Sequence, residues 1–348
     1  MTEATRTSAA TLHDVAREAG VSLATASRSI NGSTRKVNDE LRQRVLVAAE
    51  KLGYVANQSA QAIAKGSAST VALVVSDIAD PYFSTMASGV IRGAEEARLL
   101  VTMAMTERSA ERELELVRAL RGGRPRVLIL TGSRFAGTEL ETSLVKELTA
   151  YEETGGTVVI VSQRSLPFDT VQIDNLAGAR ELARALVEQG YRRFAAFTGV
   201  SSLLTSSDRL QGFRDGLLEH GLELGDDRVY RADFTRDGGI AAVDSMLNDG
   251  IDDVDCVFAV NDVMAIGALS RLRDRGVSVP DDIAIAGFDD IDTARDVTPA
   301  LTTVRLPLAD VGAEAIQLAL TADQRTSVAT VTIAGEVVLR DSTPPRRT

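Results

Sequence analysis

Residues 11–33 read TLHDVAREAGVSLATASRSINGS, and this stretch decides how the first part of the chain folds. Thr11 stands where a helix N-cap belongs, and Asp14 follows three residues later, the spacing of a capping box. Leu12, Val15, Ala16 and Ala19 recur at three- and four-residue spacing and form one apolar face. Gly20 ends that helix and has the backbone freedom for a tight turn. Val21 can tuck into a core, and Ser22 caps a second helix over residues 23–30, which Asn31-Gly32 ends. Two short helices joined in this way form a helix-turn-helix unit. A third helix runs from an Asn38 cap through Leu41, Val45, Leu46, Ala49 and Leu52 to Gly53. The second helix is poor in core residues. It presents Leu23, Ala24, Thr25, Ser27 and Arg28, small or polar groups able to approach a DNA groove, and its first amides suit a phosphate. On these features alone DNA binding is favoured over a plain three-helix bundle.

The charge distribution agrees with that reading. The 348 residues suggest two or three domains and carry a net charge of −11. Residues 1–66 hold nine Arg and Lys against six Asp and Glu, a charge of +3, and the remainder carries −14. A small basic head thus precedes a large acidic body. The single Cys256 excludes a disulfide framework and any multi-cysteine zinc site. His13 and His220, the only histidines, cannot build a histidine-rich metal site, and no cofactor is expected. Residues 1–10 lack the apolar run of a signal peptide, and no stretch of ~18 apolar residues occurs, so a soluble, cytoplasmic protein is expected.

Residues 11–33, followed by VNDELRQRVLVAAEKLGYVANQSAQAIAKG at 37–66, resemble the LacI/GalR family of bacterial transcriptional regulators. The pattern T-L-x-D-V-A-x-x-A-G-V-S, then S-R, then L-G-Y-x-x-N before an Ala-rich hinge carries the resemblance, which extends over nearly the whole chain. It implies that Leu23 and Ala24 face base edges in the major groove and that Arg28 contacts a base or phosphate. Thr11, Ser22, Thr25, Ser27, Asn31, Tyr54, Asn57, Ala60 and Ile63 complete the implied DNA-binding set. Leu23 and Ala24 offer only apolar contact, for example to thymine methyls, so direct readout leans on Arg28. The hinge, residues 58–69, has about two turns of helix-forming sequence, which is marginal alone in water. In the family a hinge leucine wedges into the minor groove. Ile63 takes that position here, and Ala56 stands where proline is frequent.

Beyond residue 69 apolar runs alternate with amphipathic stretches. Strands are expected at 70–78, 100–106, 126–131, 157–162, 194–199, 228–233, 256–260 and 282–287, with helices at 82–98, 111–121, 176–189, 208–219, 236–248 and 263–275. Short unalternating Val, Ile and Ala runs between helices mean an α/β body of parallel sheets covered on both faces. Two doubly wound lobes fit this count, with a ligand between them at the strands' carboxyl ends. The resemblance implies a periplasmic-binding-protein-like body for effector binding and dimerisation (residues 70–348) behind a DNA-binding domain (1–57). The chain would cross between lobes near Thr170, Pro299 and Val328, giving an N-lobe of about 70–170 and 300–327 and a C-lobe of about 171–299 and 328–341.

Polar residues recur where these strands end, although each Asp or Asn taken singly is an ordinary cap or turn residue. By resemblance to the sugar-binding members, Asp80, Tyr82, Phe83, Gln163 and Arg164 serve the near lobe, and Arg209, Phe234, Asn261 and Asp289 the far one. Carboxylates and Asn suit hydroxyl pairs, Arg209 forks onto two oxygens, and aromatic faces stack on a ring. Gln163 replaces a frequent Asp and Leu306 a frequent Gln, which removes polar options. The expected function is a DNA-binding regulator, a repressor, whose affinity for a near-palindromic operator is set by a small effector, a sugar. The alternatives are an α/β enzyme or a solute-binding protein with a helical head. G-x-G-x-x-G after the first strand, G-x-x-x-x-G-K-[ST] and G-x-S-x-G are all missing, which disfavours the enzyme. The end of the chain, TPPRRT, has no leucine heptads, so a homodimer is expected rather than a coiled-coil tetramer.

Overall fold

The computed structural model describes residues 10–31, 37–54, 69–134, 139–163, 165–250 and 253–346. Packing divides the chain into two units, Met1–Ala68 and Ser69–Thr348.

In the first unit, helices α1 (Leu12–Ala19), α2 (Leu23–Asn31) and α3 (Asp39–Lys51) enclose a small core of Val15, Ala16, Ala19, Ala26, Val45 and Ala48. The capping box forms as the spacing predicts. Asp14 N donates to Thr11 Oγ1 at 3.3 Å, and Thr11 N to Asp14 Oδ2 at 3.0 Å. Gly20 sits at φ +62°, left-handed backbone that closes α1 and aims the chain into α2. Thr25 N donates to Ser22 Oγ at 3.2 Å, Glu40 N to Asn38 Oδ1 at 2.8 Å, and Arg44 NH2 to the Ala19 carbonyl.

The second unit holds two parallel sheets. The first comprises β1 (Thr70–Val75), β2 (Leu100–Met105), β3 (Val127–Thr131), β4 (Thr157–Val161), β5 (Asp169–Ile173) and β11 (Thr330–Ile333) in the order β11-β5-β4-β3-β1-β2. Helices α4 (Pro81–Glu96), α5 (Ala110–Gly122) and α6 (Glu139–Glu152) connect its strands. The second sheet has the order β7-β6-β8-β9, from β6 (Phe194–Thr198), β7 (Val229–Arg231), β8 (Cys256–Ala259) and β9 (Ala284–Ala286). Its helices are α7 (Asn175–Glu188), α8 (Leu204–Leu218), α9 (Arg236–Asp249), α10 (Asp262–Asp274) and the short α11 (Thr293–Asp296). Val71, Leu73, Ile129, Val159, Phe197 and Phe258 are buried completely, as strands covered on both faces require.

The chain changes lobe later than expected. Strand β5 pairs with β4, and β11 pairs with β5, so residues 171–173 and 330–333 belong to the first sheet rather than to the C-lobe. The crossings therefore follow Ile173 and Ile333. Strand β10 (Thr303–Arg305) pairs antiparallel with β12 (Glu336–Val338), which follows the second crossing, and α12 (Leu308–Leu320) returns to the first lobe. There α12 packs on α4 so closely that a Cβ on Gly312 would stand 2.0 Å from the Met86 carbonyl oxygen. Beyond β12 the chain folds back along the second lobe. Tyr191 Oη donates to the Pro344 carbonyl at 2.8 Å, Arg346 pairs with Asp255, and Ser342 and Thr343 are buried.

Candidate effector cavity and DNA-reading surface

Both sheets present a switch point, where the strand order reverses: β1 beside β3 in the first, β6 beside β8 in the second. In such sheets the carboxyl ends of the strands leave a crevice there. One cavity, about 670 Å³ and partly continuous with solvent, is lined from both sheets. From the first come Asp80, Tyr82, Phe83 and Gln163, and from the second Arg209, Phe234, Asn261 and Asp289. Eight of the nine expected effector residues are thus brought together. The ninth, Arg164, lies outside the described residues. Leu306 is packed in the core and is not among the lining residues.

Each polar side chain is positioned by backbone. Asp80 caps α4, accepting from Tyr82 N at 3.1 Å, while its other oxygen accepts from Arg108 NH2 at 3.1 Å. Arg108 also donates to Asp77 Oδ2 at 3.0 Å. Asn261 caps α10 through Oδ1, which accepts from Met264 N at 2.9 Å and leaves its amide nitrogen as the donor end. The rings of Tyr82 and Phe83 meet edge to face with centroids 4.9 Å apart.

Arg209 organises the second lobe's wall. Its side chain is 1% exposed. Nε donates to Asn175 Oδ1 at 2.8 Å, NH1 to the Val260 carbonyl at 2.7 Å, and NH2 pairs with Asp289 at 2.8 Å. The guanidinium also lies 3.9 Å from the centroid of Phe288. Asp289 and Asp290 have φ of +121° and +54°, conformations that cost a non-glycine residue about 1–3 kcal/mol each. The strain is held by a parallel bridge to Arg305 and by the contacts of Asp290 with Arg305 Nε at 2.8 Å and Arg340 NH2 at 2.6 Å. Burial pushes the Asp289 carboxyl up to about 8 against the opposing pull of Arg209. Burial likewise raises Asp262 to about 6, although Thr303 Oγ1 and Ile291 N both donate to it. Burial also raises Asp80, against the backbone donor of Tyr82 and the charge of Arg108.

Gln163 lines the cavity and also bridges the two lobes. Its Oε1 accepts from Ser162 Oγ at 2.8 Å and from Arg134 N at 3.3 Å, and its Nε2 donates to Thr205 Oγ1 at 2.8 Å. Helix α8 has no side-chain cap of its own. Its first amides are met instead from the opposite lobe: Leu204 N donates to the Arg134 carbonyl and Thr205 N to Ser133 Oγ, both at 3.0 Å. Ser76, Arg108, Ser133, Asn175 and Thr205 line the cavity and were not among the expected residues. Asn175 follows the expected strand-end pattern. The others are visible only once the two lobes are set together.

In the head, Thr11, Ser22, Leu23 and Ala24 are exposed, with Ser22, Leu23 and Ala24 at the start of α2. Thr25, Ser27 and Arg28 are half-buried, and Arg28 Nε donates to the Ala24 carbonyl at 3.0 Å. Tyr54 packs against the head core. Asn31 ends α2, but its side chain, like Asn57, Ala60, Ile63 and the hinge segment 58–68, lies outside what is described. No helix among the described residues is long and apolar enough to cross a membrane.

Comparison with known proteins follows the same division. Residues 11–57 match the bacterial regulatory proteins of the lacI family, and residues 183–343 match a periplasmic binding protein-like domain. The HTH-type transcriptional regulator GalR of Escherichia coli is 35% identical over 320 residues, which are 91% of this chain and 90% of that protein. The HTH-type transcriptional regulator CelR of Thermobifida fusca is 35% identical over 314 residues, 88% of this chain and 90% of its own. Among solved structures, the transcriptional regulator CelR–cellobiose complex aligns with a TM-score of 0.70 at 32% identity, covering 96% of this chain and 99% of that one.

Proposed function

Because the chain belongs to the lacI family of bacterial regulatory proteins, transcriptional regulators and not enzymes, we propose that it is a repressor whose operator affinity is set by a sugar bound in the cavity between the two sheets. The observation that carries the effector reading is the composition of that cavity. Asp80, Arg209, Asn261 and Asp289 offer convergent acceptors and donors beside the aromatic faces of Tyr82, Phe83 and Phe234, the mixture that holds a hydroxylated ring. The similarity to a regulator solved with cellobiose supports the same class of ligand.

The head reads DNA in this proposal, with Leu23 and Ala24 against base edges and Arg28 supplying the hydrogen bonds. Thr11, Ser22, Thr25, Ser27 and Tyr54 fix its position on the backbone. Two heads on a near-palindromic operator require a dimer. Strand β2 supports one: it forms an outer edge of the first sheet and exposes Leu100 (60%) and Met103 (37%), an apolar edge of the kind that seeks a partner. The sugar acts by preferring one arrangement of the lobes, which changes the spacing of the paired heads.

The test is operator selection with the full chain, followed by anisotropy titrations with and without a sugar identified by thermal shift. The expected result is one palindromic site, sugar-dependent affinity, and loss of the thermal shift in Arg209→Ala. Equal operator affinity with saturating sugar and without it refutes the coupling.

A further inference from the structure

Two pairs of neighbouring residues stand in the second lobe's wall of the cavity, and only the first of each pair lines it. Asn261 and Asp289 line the cavity, whereas Asp262 and Asp290, one residue on, do not. Both of these acids are turned instead to the chain segments that join the lobes. The chain leaves the second lobe from β10, on its way to α12, and re-enters it through β12. Thr303 of β10 donates Oγ1 to Asp262 at 2.6 Å, and the other Asp262 oxygen accepts from Ile291 N at 3.0 Å. Asp290, with its side chain fully buried, pairs with Arg305 Nε of β10 at 2.8 Å. It also pairs with Arg340 NH2, just beyond β12, at 2.6 Å. One carboxylate therefore holds both connectors.

The backbone ties are as close. Asp289 N donates to the Val304 carbonyl at 2.8 Å, and Leu306 N to the Asp289 carbonyl at 3.2 Å. Arg305 NH1 lies 3.6 Å from Glu336, its cross-strand neighbour on β12. A single peptide bond thus joins a carboxylate in the cavity to a carboxylate on the connectors, and both residues have positive φ. Such backbone persists only while its surroundings over-determine it. Arg209 holds the dipeptide from the cavity side, and Arg305 and Arg340 hold it from the other. A ligand that donates to Asp289 weakens the hold of Arg209, and the shared peptide carries the relaxation to Asp290. Asp262 differs, because it is the first residue of α10 and is fixed by that helix.

From this geometry we propose that Asp290 is the residue that converts effector contact at Asp289 into a change in the arrangement of the lobes. It is a positioning residue, since it acts through Asp289 and the connectors and does not line the cavity. The proposal rests on the reading of the cavity as an effector site and adds the route by which occupancy leaves it. Arg305 and Arg340 are the receiving side. The carboxylate between them sets the spacing of the two connectors, and once its charge is removed the two guanidinium groups repel each other.

The test compares the full-length wild type with Asp290→Asn and with Arg305→Gln, which changes a half-exposed partner and keeps the question open if the first variant fails to fold. Hydrogen exchange without ligand reads the lobe arrangement at Leu204 and Thr205, whose amides donate across the lobes to the Arg134 carbonyl and Ser133 Oγ. Ala232 and Val260, bonded within the second sheet to Thr198 and Phe197, are the controls. The expected result in Asp290→Asn is exchange at Leu204 and Thr205 faster by at least about tenfold, with the controls within about twofold of wild type, and a smaller change of the same sign in Arg305→Gln. Operator titrations are then made with and without cellobiose, galactose or glucose, whichever raises the wild-type melting temperature. A wild-type response of about 5–150-fold should fall to within about twofold of none in Asp290→Asn. Cross-lobe amides that keep wild-type rates in both variants overturn the proposal. So does exchange that rises equally at the controls, the mark of a merely structural role, or an operator response that survives in both folded variants. If none of the three sugars acts on the wild type, the sugar reading falls, and the ligand-free exchange alone upholds or overturns the role of Asp290.

Discussion

Replacing Arg209 by Met keeps the length of the side chain and removes its charge. The structure fixes what is lost. Two hydrogen bonds from a charged donor, to Asn175 and to the Val260 carbonyl, contribute about 1.5–3 kcal/mol each, and the Phe288 face adds about 0.5–2 kcal/mol. Against this, Met packs well, and the stranded Asp289 can escape its isolation by taking up a proton. Removing one partner of a buried pair costs about 3–5 kcal/mol, and that is the loss expected for Arg209→Met. Asp289→Asn should then soften it, because the double variant no longer buries a lone carboxylate. A coupling of about 1–3 kcal/mol is expected between the two sites. Urea unfolding of the wild type, both single variants and the double variant at pH 9, above the raised Asp289 value of about 8 and so with the carboxylate charged in the wild type, measures all four corners. A single-variant loss within about 0.5 kcal/mol of zero, the size typical of surface sites, refutes the assignment of Arg209 as the organiser of the wall. Strict additivity of the two substitutions refutes the pairing.

Three further outcomes follow from the same contacts. Ser133→Ala removes the acceptor for Thr205 N, a capping loss of about 1 kcal/mol, so amide exchange at Thr205 should quicken several-fold; unchanged protection denies that the lobes are latched there. Asp289 and Asp262 hold protons in the folded state, to about 8 and about 6, where the unfolded chain has released them. Their contribution is therefore full below about pH 4 and is lost as pH rises toward about 8, so Asp289→Asn should flatten this part of the stability profile, and urea midpoints that stay parallel to wild type across this range count against it. Gly312→Ala places a Cβ against the Met86 carbonyl and should cost about 1–3 kcal/mol or more by thermal or urea unfolding, whereas a neutral effect would mean that α12 and α4 can separate freely.

Local signals made the head and most of the sheets legible. The Thr11–Asp14 box, the Gly20 turn and the Asn38 cap act over three or four residues, and all appear where the spacing predicts. The eight expected strands all form, shortened by up to three residues at their ends. Strands β5, β10, β11 and β12 were not expected. They have three to five residues each, too few for a period to show, and they exist because of partners far away in sequence. Helices α6, α11 and α12 also lie outside the expected set, although Leu140, Leu144, Leu148 and Tyr151 do carry a helical period along α6. The polar residues at strand ends converge because parallel strands point their carboxyl ends the same way. Which of them keep polar atoms available for a ligand is a different matter. Gln163 spends its amide on Thr205 across the lobes, and no pattern within residues 160–165 announces that.

Strand β11 has a consequence for how the protein is made. It covers β5, which has no partner on that side until residues 330–333 are synthesised. While the ribosome is still adding the second lobe, β5 stands as an uncovered edge with its ladder groups open to any passing strand. The first lobe, although encoded first, is therefore finished almost last. A stop codon or protease nick shortly before residue 330 would remove little mass yet leave an adhesive sheet edge, and aggregation rather than a smaller regulator is what such a truncation should yield.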